Sequence, residues 1–188
     1  MVVFFLTCFV WRSWRVWRQT GINPLVPTPG DDVHDYVGRI FRLQVLATGI
    51  IVLLFAKAPH DRAVLAPLQS LEHLELRAAG VIAMLIALVW TFVAQAQMGA
   101  SWRIGVDSKH ATPLVAAGVF KYSRNPIFAG IMLALAGLFM ATPNAWTLLL
   151  FALGVILINV QVRLEEAHLF KLHGASYEAY RQQVRRWL

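Results

Sequence analysis

Three groups of residues in this 188-residue chain have the types and spacing to do chemistry. The stretch GVFKYSRNPIFAG, residues 118–130, places Tyr122, Arg124, Asn125 and Pro126 together directly ahead of an apolar run. A helix entering a bilayer needs only one or two anchoring side chains at its mouth, so this density suggests a site. Arg124 can grip a carboxylate through two parallel hydrogen bonds. Asn125 can donate and accept, and Tyr122 offers a π face to a cation.

The second group is Asn159, Arg163 and Glu166, at i, i+4 and i+7, which helical geometry gathers into one polar stripe. Glu165 is turned about 100° from its neighbour, so one carboxylate faces adjacent helices and the other meets a cation or water. The plain structural alternative is an Arg163–Glu166 ion pair at i, i+3, with Asn159 hydrogen-bonding between helices. In the third group, LHGASYEAYRQQVRRWL, Tyr177 and Tyr180 share a helix face, Gly174 interrupts the preceding helix, and Ser176 is placed to cap the next one. Arg185, Arg186 and Trp187 suit headgroup anchoring.

Other chemistries find no framework. His168 and His173 are five apart, the wrong spacing for two ligands on one helical face, so no metal site is expected. No glycine-rich phosphate loop is present. The single cysteine, Cys8, lies in an apolar segment and excludes an intramolecular disulfide.

The elements that must position these groups are membrane-grade. Hydrophobic residues make up 58% of the chain and charged residues 14%, with a mean hydropathy of +0.58. A soluble domain carries about 25% charged residues. The apolar residues fall in blocks, which points to one all-α integral membrane domain spanning residues 1–188. Its first 98 residues form the N-terminal helices and residues 99–188 carry the candidate site.

Five membrane segments are expected: a short one from residue 2 to Trp11, then about 43–58, 78–98, 127–141 and 145–162. The first leaves the membrane at Trp11 and continues along the headgroups, where Trp11, Trp14 and Trp17 alternate with Arg12, Arg15 and Arg18. Residues 21–35, rich in proline and glycine, form a loop, and Pro59 closes the second segment. The last two segments are joined by three residues and form an antiparallel hairpin around residues 142–144. Ala129, Gly130, Ala134, Ala136, Gly137 and Ala141 give that hairpin a small-residue surface for close helix packing.

Basic residues orient this layout. Lys57, Arg62 and Arg77 fall on one side, and the other fourteen of the 17 cations fall on the opposite side. The positive-inside rule puts the fourteen in the cytoplasm together with the C-terminal tail, and the N-terminus outside. Cations dispersed between apolar runs argue against nucleic acid despite a pI near 10.2.

Taken together, the first and third groups, separated by one apolar hairpin, resemble the C-terminal half of the isoprenylcysteine carboxyl methyltransferase family and its phospholipid methyltransferase relatives. Arg124, Pro126 and Gly130 match an Arg-x-Pro-x-x-x-Gly element, Glu165 and Glu166 match a Glu-Glu pair, and Gly174, Tyr177 and Tyr180 match a Gly-x-x-Tyr-x-x-Tyr tail. The likeness covers about residues 99–188, including the lead-in TPLVAAGVFKY (112–122). The prenylcysteine enzymes carry His-Pro after the arginine and a tyrosine two residues beyond the proline. Here Asn125 and Phe128 stand instead, so their acceptor does not simply carry over.

The resemblance implies an S-adenosylmethionine-dependent methyltransferase acting on a lipidic or small hydrophobic acceptor within the bilayer. It implies Arg124 and Glu166 as catalytic residues, and Leu114, Val115, Tyr122, Asn125, Pro126, Gly130, Glu165, Tyr177 and Tyr180 as cofactor-binding ones. Leu114 and Val115 would meet the adenine, and the tyrosines would wall the adenosine. Outside that resemblance, Gln95, Gln97, Trp102 and Arg103 either border the acceptor or anchor the chain at the interface. An NADPH-dependent membrane reductase resembling the sterol reductases, or a non-catalytic membrane scaffold, is the alternative.

Overall fold

A computed structural model describes residues 1–21, 33–57, 66–102 and 113–188. Most of the 21–35 loop, the break at Pro59, and Arg62, Arg103, Lys109 and Thr112 lie outside the described residues. Among those described, the chain is all-α. It runs α1 (Val2–Phe5), a π-helical segment (Leu6–Trp11), α2 (Arg12–Thr20), α3 (Val33–Lys57), α4 (Leu74–Met98), α5 (Pro126–Ala141), α6 (Ala145–His173) and α7 (Ala175–Gln183).

Three helices are long and apolar enough to cross a membrane: residues Asp35–Lys57 of α3, α4 and α6. At 1.5 Å per residue the 16-residue α5 rises about 24 Å. That falls short of a hydrocarbon core of about 30 Å, so α5 relies on α4 and α6 to cover its ends. The N-terminal helix continues past Trp11 without a break to Thr20, ending at Gly21 with a φ of +67°. Trp14 and Trp17 are about half exposed, and Arg15 and Arg18 sit over Trp11 and Trp14 at 5.4 Å.

The last apolar segment is extended by polar chain in one helix, because α6 continues for 29 residues through Glu165 and Glu166 to His173. Its start is fixed by a capping box: Asn144 Oδ1 accepts from Thr147 N at 2.9 Å, and Thr147 Oγ1 accepts from Asn144 N at 3.3 Å. Glu166 then lies about 32 Å along the axis from Ala145, where a core of about 30 Å ends.

Successive helices α4, α5 and α6 run antiparallel. The tightest crossing is between α4 and α5 toward the Thr142–Asn144 turn, where a Cβ on Gly80 would sit 2.6 Å from Gly137 O. Hydrophobic driving force is absent between helices in lipid, so close backbone approach through small residues must supply the contact. Polar pins finish the bundle. Gln44 Nε2 donates to Leu150 O at 2.9 Å, joining α3 to α6. Buried Arg12 donates through Nη2 to Gln95 O at 2.6 Å and Gly99 O at 2.8 Å, at the negative end of α4. Gln95 Nε2 returns to Cys8 O at 2.9 Å. Cys8 is fully buried beside Phe4, Ala87 and Ala134. The ends of α4 and α6 and the start of α5 thus gather at one end of the bundle, with the tail folded beneath.

Candidate functional site

Pro126 starts α5 at its first turn, where the missing N–H costs nothing, and it bars Asn125 from helical geometry. Asn125 is therefore the residue that precedes the helix, yet its side chain makes no cap. It turns instead toward α6 and donates from Nδ2 to Glu166 Oε1 at 3.0 Å and to Arg186 O at 3.3 Å. The next residue back, Arg124, donates from Nε and Nη2 to the same Oε1 at 3.2 and 3.1 Å. Its Nη1 donates to Arg181 O at 3.1 Å and Val184 O at 2.6 Å.

The carboxylate has a third partner that lies in the tail. Arg186 donates to Glu166 Oε2 from Nε at 3.1 Å and from Nη2 at 2.8 Å. Glu166 is thus gripped by two guanidiniums and an amide. Charged hydrogen bonds of this kind are about twice as strong as neutral ones, and at this depth they are screened little by water. The side chains of Arg124 and Glu166 are each 9% exposed, whereas that of Arg186 is 35% exposed. Two cations against one anion leave the cluster with an excess positive charge.

Backbone bonds fasten the tail at the same place. Arg124 N donates to Arg185 O at 2.9 Å, and Ser123 Oγ to Arg186 O at 3.2 Å. Tyr180 and Tyr177 pack edge to face with centroids 6.1 Å apart, seating α7 against the turn Gly118–Lys121. Tyr180 Oη donates to Phe120 O at 2.7 Å. The Tyr177 hydroxyl is buried beside Glu166 and Arg124; it makes no hydrogen bond of ideal geometry among the described residues, yet the Arg124 side chain is near enough to interact with it. Burial, before any of these charges, pushes both tyrosines up to about 12. The hydrogen bonds to Glu166 raise the Arg186 guanidinium above its ordinary value.

Beside the cluster opens a cleft of about 530 Å³ lined by Trp90, Lys121, Tyr122, Gln183, Arg185 and Leu188 among others. The cleft is shallow and open to its surroundings rather than enclosed. Trp90 also donates from Nε1 to Pro126 O at 2.8 Å, so it ties α4 to the start of α5.

The expected residues divide. Arg124, Asn125, Pro126, Glu166, Tyr177 and Tyr180 come together, and Tyr122, 69% exposed, lines the cleft. Glu165 is half-buried and, among the described residues, its carboxylate carries no hydrogen bond. Leu114 and Val115 are half-buried in irregular chain and take no part in the hydrogen-bonded cluster. Gly130 packs on α4, where a Cβ would collide with Thr91 Oγ1, which accounts for the glycine by helix packing. Gln97 Oε1 accepts from Val119 N at 2.8 Å and so supports the turn.

Four expectations change. The Arg163–Glu166 ion pair is not made, because Arg163 is exposed and Glu166 points to α5 and the tail. Asn159 bonds to Val155 O of its own helix at 2.8 Å, not between helices. Ser176 does not cap α7, whose N-cap is Gly174 with no side-chain bond. Arg186 is a partner of Glu166 and not a headgroup anchor, a role Arg185 is left free to fill. Arg186 was missed because adjacent arginines beside a tryptophan look alike in sequence. Trp90 gave a usable signal, since an indole N–H buried in an apolar helix needs an acceptor.

Residues 76–176 match the family model described as phospholipid methyltransferase. No curated protein and no solved structure matches the chain significantly. The match covers more than half of the chain and spans both Arg124 and Glu166.

Proposed function

Since the chain belongs to the phospholipid methyltransferase family, and so is a membrane methyltransferase in general, we propose that it transfers a methyl group from S-adenosylmethionine to a lipidic acceptor. The observation that carries this reading is the Glu166 carboxylate held by Arg124, Asn125 and Arg186 beside an open cleft at the end of the helix bundle. The family match favours methyl transfer over the reductase and scaffold alternatives.

The residues fit such a donor. It carries an ammonium, a carboxylate and a sulfonium, and when bound it supplies an electrophilic methyl group. Glu165, whose carboxylate carries no hydrogen bond among the described residues, pairs the ammonium. Glu166 works indirectly, as the anion that orients Arg124 and Arg186. Arg124 has its fork committed to Glu166 and to tail carbonyls, so it organises the pocket and does not hold a free carboxylate. Tyr122 in the cleft wall presents a π face to positive charge.

Methyl transfer to an acceptor that is already nucleophilic needs little proton movement. The chain's contribution is then positioning, with acceptor and methyl held in line about 3–3.5 Å apart, and exclusion of water by the folded tail. An acceptor reaches the cleft sideways from the bilayer past Trp90, and the donor arrives from the aqueous side. The cation distribution favours the cytoplasm as that side. The acceptor head is amine-like or carboxylate-like.

The test is saturable binding of labelled S-adenosylmethionine by the detergent-purified protein. Membranes are then incubated with methyl-labelled donor to identify the lipid fraction that gains label and whether the label is base-labile. Absence of saturable binding, with Arg124→Ala and Glu166→Ala behaving as wild type, sinks the proposal.

A further inference from the structure

Two cations line the open cleft with no anion of the fold to meet. Lys121 ends the turn Gly118–Lys121, and Arg185 lies in the tail beyond α7. Both side chains are exposed, and among the described residues neither makes an ion pair or a side-chain hydrogen bond. Their backbones are nevertheless fixed. Arg185 O accepts from Arg124 N at 2.9 Å, which holds the tail against the segment that follows Lys121. Tyr180 Oη donates to Phe120 O at 2.7 Å and fastens the turn to α7. The fold therefore keeps the two cationic walls together.

Charge in the cleft has one sign. No side-chain carboxylate lines it among the described residues. The nearby Glu166 carboxylate is shared between Arg124 and Arg186, which leaves a positive charge in excess there as well. Opposite charges attract and like charges repel, so the cleft favours an anion and disfavours a cation.

The remaining wall is apolar and belongs to a membrane-crossing helix. The Trp90 ring is held by its bond to Pro126 O at 2.8 Å. Ile86 and Val93, at i−4 and i+3 from Trp90, share its face of α4 and are 55% and 36% exposed. An apolar strip thus leads from the span up to the two cations. A free phosphate gains nothing from such a strip. A lipid gains twice, with an acyl chain along Ile86 and Trp90 and a phosphate at Lys121 and Arg185.

We propose that this cleft binds a membrane phospholipid of net negative charge, held through its phosphate by Lys121 and Arg185. A zwitterionic head brings an ammonium that no side-chain carboxylate in the lining receives, so net head charge sets the preference. The inference goes beyond methyl transfer, because it concerns which lipid the cleft holds, whether or not that lipid is methylated.

The experiment uses the full chain in neutral detergent without a methyl donor, so its outcome is separate from that of the methyl-transfer reading. Calorimetry compares dihexanoyl phosphatidylglycerol, which is net anionic, with dihexanoyl phosphatidylcholine, which adds an ammonium to the same phosphate and chains. Glycerol 3-phosphate is the probe without chains. The proteins are wild type, Lys121→Gln, Arg185→Gln and Lys171→Gln, the last an exposed cation of α6 outside the cleft. Wild type prefers phosphatidylglycerol over phosphatidylcholine by about tenfold or more, as two cations at a lipid phosphate require. Either cleft variant narrows that preference to below about threefold, and Lys171→Gln keeps it. Glycerol 3-phosphate binds at least about tenfold more weakly than phosphatidylglycerol.

Equal affinity of wild type for the two lipids overturns the proposal. An equal narrowing in Lys171→Gln also overturns it, since the preference then belongs to the charge of the whole protein. Glycerol 3-phosphate binding as tightly as phosphatidylglycerol replaces the lipid with free phosphate. Both substituted side chains are exposed and unpaired, so each variant folds, as thermal unfolding checks, and each decides the matter alone.

Discussion

Arg186 and Glu166, twenty residues apart in the chain, meet edge to edge with Nη2–Oε2 at 2.8 Å and Nε–Oε2 at 3.1 Å. This contact turns the tail from an appendage into a wall of the site, because the same strand of chain supplies carbonyls to Arg124, Ser123 and Asn125.

Removing the shared anion exposes that dependence. Glu166→Gln leaves two guanidiniums facing one neutral amide, with Arg124 only 9% exposed. Breaking a buried pair from one side costs about 3–5 kcal/mol, so thermal unfolding in detergent shifts sharply downward and labelled donor no longer binds. A variant with wild-type melting and binding excludes the cluster as the organiser of the site.

Neighbouring arginines should behave differently. Arg185 contributes its carbonyl to Arg124 N and leaves its side chain exposed. Arg185→Ala therefore stays within about 0.5 kcal/mol of wild type. Arg186→Ala loses bonds to a carboxylate worth about 1.5–3 kcal/mol. Equal losses in the two variants, measured by thermal unfolding, would restore the reading of both as headgroup anchors.

Alkaline titration reads the buried tyrosines. Burial raises Tyr177 and Tyr180 from 10.0 to about 12 in the folded chain. Their neutral forms are favoured by folding, so this stabilisation is fully present below about pH 10 and is lost as pH rises toward 12. Tyrosinate absorbance of the double Phe variant should lack the highest-pH phase. Retention of that phase in the variant would show that these rings are not the buried pair.

Crowding at Gly130 gives a packing test independent of any ligand. Gly130→Ala drives a Cβ into Thr91 Oγ1 and costs about 1–3 kcal/mol by overpacking. Adding Thr91→Ala removes the obstructing hydroxyl and restores part of the loss. Strict additivity of the two changes in melting would mean that the helices do not meet there.

Orientation can be mapped because one thiol is easily removed. Cys8 is the single cysteine and is fully buried. In a Cys8→Ser background, a cysteine placed at the exposed Ala145 is labelled from outside the cell by an impermeant thiol reagent. One placed at Gln182 is labelled only after the membrane is opened. The opposite pattern inverts the cation-based topology.

Much of the bundle was legible in the sequence, because bilayer thickness acts locally on composition. A span must be apolar over about 20 residues, and no distant contact changes that requirement. The all-α class, α4, and the hairpin around Thr142–Asn144 follow from runs and turn residues alone. Helix ends were harder, and α6 shows why. The stripe Asn159, Arg163 and Glu166 already carries the helix past its apolar run, but only the structure shows that good helix formers take the backbone on to His173.

The site followed the same division. Sequence by itself determined the residue types: an arginine, an asparagine and a proline ahead of α5, paired glutamates on α6, and tyrosines three apart in the tail. Only the tertiary structure decided which of the two glutamates is gripped and which arginine grips it. Adjacent residues on a helix differ by about 100° of rotation, and only packed neighbours say which direction is inward. Glu166 faces Arg124 and Asn125, so it is the gripped carboxylate, while Glu165 carries no hydrogen bond among the described residues. Arg186 and Arg185 differ only in the direction each points, and that direction is fixed by carbonyls of the folded tail meeting residues 123–125. Such long-range hydrogen bonds leave no periodic trace in the chain, which is why chemistry was visible in sequence and its partners were not.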